Sequence, residues 1–228
     1  MDRRQFTGQL AVGAALWVCA AQAHALSLSD ADARAGLKAA LERGATAAVS
    51  LLGRTDGFLG NPKVRIALPS GVDSAAKLLR GIGQGRKVDE LVTAMNRAAE
   101  AAVPQSRQLL SDAVARMSVT DAKKILTGGD TSVTQFFADQ TRKPLGATFL
   151  PIVTEQTEKV ALADKYNAVA GRAAGFGLLN KDDANIQQYV TGKTLDGLYL
   201  MIGEEEKKIR RDPVGTGSDL LKKVFGSI

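Results

Sequence analysis

Leu195-Asp196-Gly197-Leu198-Tyr199-Leu200-Met201-Ile202-Gly203-Glu204-Glu205-Glu206-Lys207-Lys208-Ile209-Arg210 is the stretch that decides the fold class. Leu195, Leu198, Ile202, Glu205 and Ile209 recur at three- and four-residue spacing, the period of one helix face, with Glu205 the polar exception. Glu204–Lys208 and Glu206–Arg210 place a carboxylate four residues ahead of a cation, the favourable order for pairs on the exposed side. Asp212-Pro213 ends this helix, and Ser218 caps a short terminal one carrying Leu220, Leu221, Val224 and Phe225.

Upstream, the same period repeats. Ser29-Asp30 caps a first helix whose apolar face runs through Leu37, Leu41, Ala48 and Leu52 and which Gly53 ends. Residues 54–70 lack helical periodicity; they hold the turn-rich Asp56-Gly57-Phe58-Leu59-Gly60-Asn61-Pro62, then Val64, Ile66 and Leu68 alternate as an extended run would. A second helix follows Ser70, with Val72, Ala75, Leu78 and Leu79 inward, and Gly81, Gly83 and Gly85 interrupt the pattern. A third presents Val88, Leu91, Val92, Met95, Ala99 and Ala102. Pro104 suits the first turn of a fourth, with Leu109, Leu110, Ala113 and Met117 inward. Ser118-Val119-Thr120-Asp121 reads as the capping box of a short fifth helix ending at Gly128-Gly129. Asp130 caps a sixth that contains Phe136 and Phe137 and stops before Pro144. A longer helical region then runs to about Arg172, kinked near Pro151, and Gly175-Phe176-Gly177 is a turn. The expectation is an all-α, compact multi-helix bundle with one longer non-helical loop near residues 54–70.

The N-terminus reads differently. Arg3-Arg4 precede a weakly apolar run from Leu10 to Ala21, and Ala23-His24-Ala25 follows. Positive charge, apolar run and A-x-A site in that order make a secretory signal, expected over residues 1–25, with a single helical domain over 26–228. The run is too short for a membrane span, which needs about 20 residues. Arg3-Arg4-Gln5-Phe6 resembles the twin-arginine export signal, so the expected location is the periplasm, by that route ahead of the general secretory one. Val18 is a poor neighbour for a lipid-modified Cys19.

The single Cys (Cys19), the single His (His24) and the single Trp (Trp17) all lie before that cut. Residues 26–228 therefore exclude Ser-His-Asp and Cys-His nucleophilic catalysis, zinc sites of the His/Cys kind, and cysteine-held clusters. Carboxylate pairs, a Ser-Lys dyad and oxygen-ligand metal sites survive. The net charge of +6 favours anionic partners. For an exported protein these are anionic lipid or an envelope protein; nucleic acid is not expected, nor a transmembrane segment in 26–228. No cofactor and no metal are expected.

Few motifs carry chemistry. Gly81-Ile82-Gly83-Gln84-Gly85-Arg86 lacks the G-x-G-x-x-G spacing and any Walker lysine, and reads as a helix–helix joint. Glu204-Glu205-Glu206 has no calcium loop around it. Asn96, Arg97 and Glu100 share one side of the third helix, where Arg and Glu with an amide can hold a ligand or brace a loop. Lys193, Asp196 and Tyr199 recur every third residue, with Tyr189 ahead of them, and a lysine beside a carboxylate is either a surface pair or a site. Together with Asp56 and Asn61 of the loop, these are the candidate binding residues.

The phrases Asp56–Pro62, Asn96-Arg97-Ala98-Ala99-Glu100, Thr134-Gln135-Phe136-Phe137, Tyr189–Tyr199 and Lys223-Val224-Phe225-Gly226 stand in the order found in a family of exported bacterial proteins, domain of unknown function 4197, which the chain resembles over nearly all of 26–228. The resemblance implies a helical envelope protein and supplies no activity, ligand or catalytic residue. It also implies that the loop and the two polar helix segments belong to one shared feature. The leading expectation is a non-catalytic periplasmic protein that binds a partner or an amphipathic or anionic ligand. A carboxylate hydrolase or lyase, with Glu100 or Asp56 as general acid or base, is the alternative. A structural or assembly factor is the third.

Overall fold

A computed structural model describes residues 28–118, 120, 122–159, 164–167 and 185–228, apart from the side chains of residues 71, 73–75, 78 and 79. The expected signal segment, Val119 and Asp121 of the expected capping box, the chain from 168 to Arg172, the expected turn at Gly175–Gly177 and the side chains of Ala75, Leu78 and Leu79 lie outside the described residues. Within them the protein is an all-helical bundle without strands. Helices α1 (Asp30–Leu52), α2 (Ser70–Gly81), α3 (Gly85–Ala102), α4 (Arg107–Arg116), α5 (Ala122–Leu126), α6 (Ser132–Glu158), α7 (Ile186–Arg211) and α8 (Asp219–Phe225) follow in chain order.

Helix α1 starts where Ser29 caps it, the serine Oγ accepting from the Asp32 amide at 3.0 Å. Ala33, Leu37, Ala40, Leu41, Ala45, Ala48, Val49 and Leu52 are all buried, so its apolar face is the floor of the core. It packs on α7, α4, α8 and α5. Where α1 meets α7, a Cβ on Gly44 would lie 3.1 Å from Ile202 Cγ2, so the glycine sets how closely the two helices approach.

Helix α6 overturns one expectation: it does not stop before Pro144 but runs unbroken through Pro144 and Pro151 to Glu158. A proline removes the donor to the carbonyl four residues back. Those carbonyls belong to Gln140 and Ala147, both exposed residues that water can reach. Val133, Phe137, Thr141, Leu145, Phe149, Val153 and Thr157 are buried at every fourth position, a stripe crossing both prolines and holding the helix together against α7 and α3.

The start of α6 also differs from expectation. Asp130 does not cap it; Thr131 stands at the cap and makes no side-chain bond. Glu206 of α7 supplies the cap instead. Its Oε1 accepts from the Val133 amide at 3.1 Å, and its Oε2 accepts from the Thr134 amide at 2.8 Å and the Thr134 hydroxyl at 2.7 Å. A carboxylate placed on orphan amides at the positive end of a helix is well matched. Glu206 is thus buried, not exposed, and its ion pair with Arg210 is an interior one. Arg210 also donates to the Leu126 carbonyl at 2.7 Å and to Ser132 Oγ at 2.9 Å, and lies over the Phe225 ring. Four helices, α5 to α8, meet at this pair.

Other differences are smaller. Leu109 is 38% exposed and not inward. Pro104 sits in a 3-10 turn, Val103–Ser106, joining α3 to α4. Glu204 pairs with Lys63 and Lys207 instead of Lys208, which pairs with Glu205. Lys63 and then Lys207 hold the Glu204 carboxyl down at about 2. The glycines join two helices, as expected: α2 ends at Gly81 and α3 begins at Gly85, and Gly83 between them takes a left-handed φ of 79°.

Candidate functional site

Two polar regions hold the candidate residues, and α7 contributes to both. The first is the loop between α1 and α2, fastened on α3. Asn96 is fully buried on α3, and its amide copies a neighbouring strand. Its Oδ1 accepts from the Ile66 amide at 2.9 Å while its Nδ2 donates to the Ile66 carbonyl at 2.8 Å and to Val92 O at 2.8 Å. One side chain thus satisfies both backbone groups of the buried Ile66, which has no strand beside it.

One turn on, Glu100 Oε1 accepts from the Phe58 and Leu59 amides at 3.0 and 3.1 Å, and its Oε2 accepts from Arg97 Nη1. Arg97 also donates to Asp56 Oδ1 at 2.7 Å. The Glu100 carboxylate, then that of Asp56, holds the Arg97 guanidinium more firmly protonated. Asp56 sits at a φ of 63°, a left-handed conformation that Asp tolerates better than most residues. Asn61 works inside the loop, its Oδ1 accepting from the Lys63 amide and its carbonyl from the Val64 and Arg65 amides. Phe58 is completely buried against α7, where a Cβ on Gly197 would lie 2.7 Å from its Cε1. Tyr189, also on α7, donates to the Ala67 carbonyl at 2.9 Å. Asp56, Asn96, Arg97 and Glu100 thus come together, with Asn61 in the same loop. Both oxygens of Glu100 are committed to the loop and to Arg97, so using it as an acid or base would release the loop.

The second region is an open cleft of about 770 Å³ between α6 and α7. Thr131, Thr134 and Gly203 lie at one end and Arg142, Lys143 and Asp196 at the other. Tyr199, Leu200, Ala138, Asp139, Gln135 and Lys207 complete it. Arg142 pairs with Asp196 across the cleft, and Lys193 reaches the other oxygen of Asp196 at 3.5 Å. Lys193 is outside the lining, its Nζ over the Tyr189 ring at 5.8 Å. The Tyr199 hydroxyl shares a 2.8 Å hydrogen bond with Thr141, and its ring meets Phe137 edge-on. Burial pushes the Tyr199 phenol up, while Thr141 and the nearby Arg142 act the other way. Leu200 is 41% exposed at the rim.

Of the second group, Asp196 and Tyr199 belong to the cleft and Lys193 to its edge. Arg142, Lys143 and Lys207 were missed. Gln135, Ala138, Asp139 and Arg142 follow the helix period, but a polar row of that kind reads as a solvated face until a second helix is known to flank it. Among the described residues no group of three or more His, Cys, Asp or Glu is placed to hold a metal ion, and no helix is long and apolar enough to cross a membrane.

The loop therefore touches both polar helix segments, α3 through Asn96 and Glu100 and α7 through Tyr189 and Gly197, while Asp196 and Tyr199 face the separate cleft. No curated protein and no solved structure matches the chain. The model of one family, described as a protein of unknown function (DUF4197), matches residues 27–226, and the chain belongs to that family.

Proposed function

We propose that the protein is an exported, non-catalytic envelope protein that binds an amphipathic anionic ligand in the cleft between α6 and α7. The observation that carries this reading is the composition of the cleft. Three cations, Arg142, Lys143 and Lys207, outnumber the two acids, Asp139 and Asp196, around a space of about 770 Å³ that Leu200, Ala138 and Tyr199 also line. An acidic head group suits the excess cation and an apolar tail suits Leu200, Ala138 and the Tyr199 ring. The loop clamp on α3 is read as a brace that holds α7, and so one wall of the cleft, in place. The absence of His and Cys from residues 26–228 supports a binding role over an enzymatic one.

Native mass spectrometry of the protein isolated from its own cell envelope tests the reading. The expected spectrum contains a co-purifying acidic amphiphile. Lys143→Glu combined with Leu200→Asp, both at exposed positions, removes that adduct and leaves the unfolding temperature within a few degrees of the parent. An adduct-free wild type, or an adduct retained by the double variant, refutes the cleft as the site.

A further inference from the structure

Asp196 puts one carboxylate where cations from two helices converge. Arg142 of α6 donates to its Oδ1, and Lys193, a turn earlier on α7, reaches its Oδ2 at 3.5 Å. Lys143 lines the cleft beside Arg142 and has no ion pair among the described residues. The other acid in the lining, Asp139, accepts from Gln135 at 2.8 Å. The protein's own side chain therefore fills the one position where an acid group would meet both helices at once. It fills it loosely. The Arg142, Lys193 and Asp196 side chains are 47%, 47% and 48% exposed, and ion pairs so exposed hold weakly and exchange partners readily.

The opposite end of the cleft differs. Asp196 to Lys207 is three turns of α7, roughly 16 Å, with Tyr199, Leu200 and Gly203 between them. Lys207 is the cation of the lining at that end, and it pairs with Glu204 at 3.1 Å. The Glu204 side chain is only 24% exposed, and Lys63 and then Lys207 hold its carboxyl down at about 2. That carboxylate is a firm partner, whereas Asp196 can swing into solvent.

We propose that Asp196 is a built-in competitor for the acid group of the ligand. The head group docks on Arg142, Lys143 and Lys193 by displacing the Asp196 carboxylate, and the apolar tail runs along Tyr199 and Leu200 toward Gly203. This rests on the cleft being the ligand site; it adds where the head lies, which way the tail runs and which residue opposes binding. An incoming oxyanion offers Arg142 the same charge-assisted acceptor that Asp196 does. The tail tips the exchange, because it also takes apolar surface out of water against Leu200, Ala138 and the Tyr199 ring. A neutral amphiphile does not compete for Arg142, so the charge at 196 is of no consequence to it.

Calorimetric titration of the full chain with decyl phosphate tests this, with decyl glucoside as the neutral counterpart, both below micelle formation. Asp196→Asn keeps the shape and removes the charge. It should bind decyl phosphate at least about threefold more tightly than wild type and leave decyl glucoside unchanged. Arg142→Gln should weaken decyl phosphate about tenfold, and Lys207→Gln clearly less. The proposal is overturned if Asp196→Asn binds decyl phosphate no more tightly than wild type, which would make Asp196 a residue that positions Arg142. It is overturned too if decyl glucoside gains equally, since the ion pair would then merely narrow the cleft, or if Lys207→Gln costs as much as Arg142→Gln. In each of these cases the cleft still takes an acidic amphiphile. If neither wild type nor Asp196→Asn takes decyl phosphate, the cleft is no such site and both proposals fall. The three substituted side chains are at least a third exposed, and an unchanged unfolding temperature certifies the fold.

Discussion

Asn96 and Arg97 are neighbours in sequence, yet they hold the same loop with very different force. Asn96 is fully buried and satisfies both backbone groups of Ile66. Asn96→Ala leaves a buried amide and a buried carbonyl without partners, which should destabilise the fold by roughly 2–4 kcal/mol. The Arg97 side chain is 40% exposed, so solvent can replace much of its contact with Asp56 and Glu100. Arg97→Ala should cost only about 1 kcal/mol. Urea unfolding of both variants checks the order. Equal effects would mean that the loop hangs on the ion pair and that the amide is incidental. If Arg97→Ala is near neutral in stability but removes a bound partner, this face is itself a binding site and no mere brace. The residue scale also marks where sequence reading stops. Between Ile202 and Ile209, helical period allows an inward residue at 205 or at 206 equally well, since three-then-four and four-then-three both fit. The structure takes 206 because the free amides of α6 lie there. That information belongs to another helix and is absent from the local pattern.

At the scale of elements, the helix faces of α1, α3 and α7 were legible because apolar periodicity records a burial that each helix makes on its own account. The Asn-Arg-Glu side of α3 was legible for the same reason, as three polar residues aligned on one face. The cleft was not legible, since it exists only where α6 lies beside α7. Continuity of α6 through its prolines was hidden likewise: the local rule breaks the helix, and the seven-residue buried stripe overrides it. Gly197 gives this coupling between elements a measurable form. In an ordinary helix interior, Gly→Ala gains about 0.5–1 kcal/mol. Gly146 of α6 meets only Leu195 Cδ1, at 3.6 Å, and Gly146→Ala should show that gain. Gly197→Ala should show the opposite sign. Its Cβ would lie 2.7 Å from Phe58 Cε1 and 3.3 Å from Val64 Cβ, inside a fully buried contact where overpacking costs about 1–3 kcal/mol. Phe58→Leu in the Gly197→Ala background should recover part of the loss. Thermal unfolding of the three variants decides; a stabilised Gly197→Ala would mean that the loop anchor can move away without cost.

For the molecule as a whole, the matter to settle is how a closed bundle reaches the compartment where it is proposed to act. Residues 26–228 contain no cysteine, so an oxidising compartment gives the fold no disulfide it would otherwise lack. They contain no histidine either, which removes the usual metal ligands that loading in one compartment would have to serve. The described bundle draws its stability from the buried faces of α1, α6 and α7, all available as soon as the chain is complete. Such a protein can fold before export, and the twin-arginine route carries folded cargo. Arg3 and Arg4 are the residues that would commit it to that route. Arg3→Lys with Arg4→Lys keeps the positive charge that a general secretory signal requires but removes the arginine pair. The expected outcome is that the processed protein disappears from the periplasmic fraction and the precursor collects inside the cell, folded and protease-resistant. If the processed form still reaches the periplasm, the chain travels unfolded by the general route. The loop clamp, the Glu206 cap and the cleft must then all assemble on the far side of the membrane.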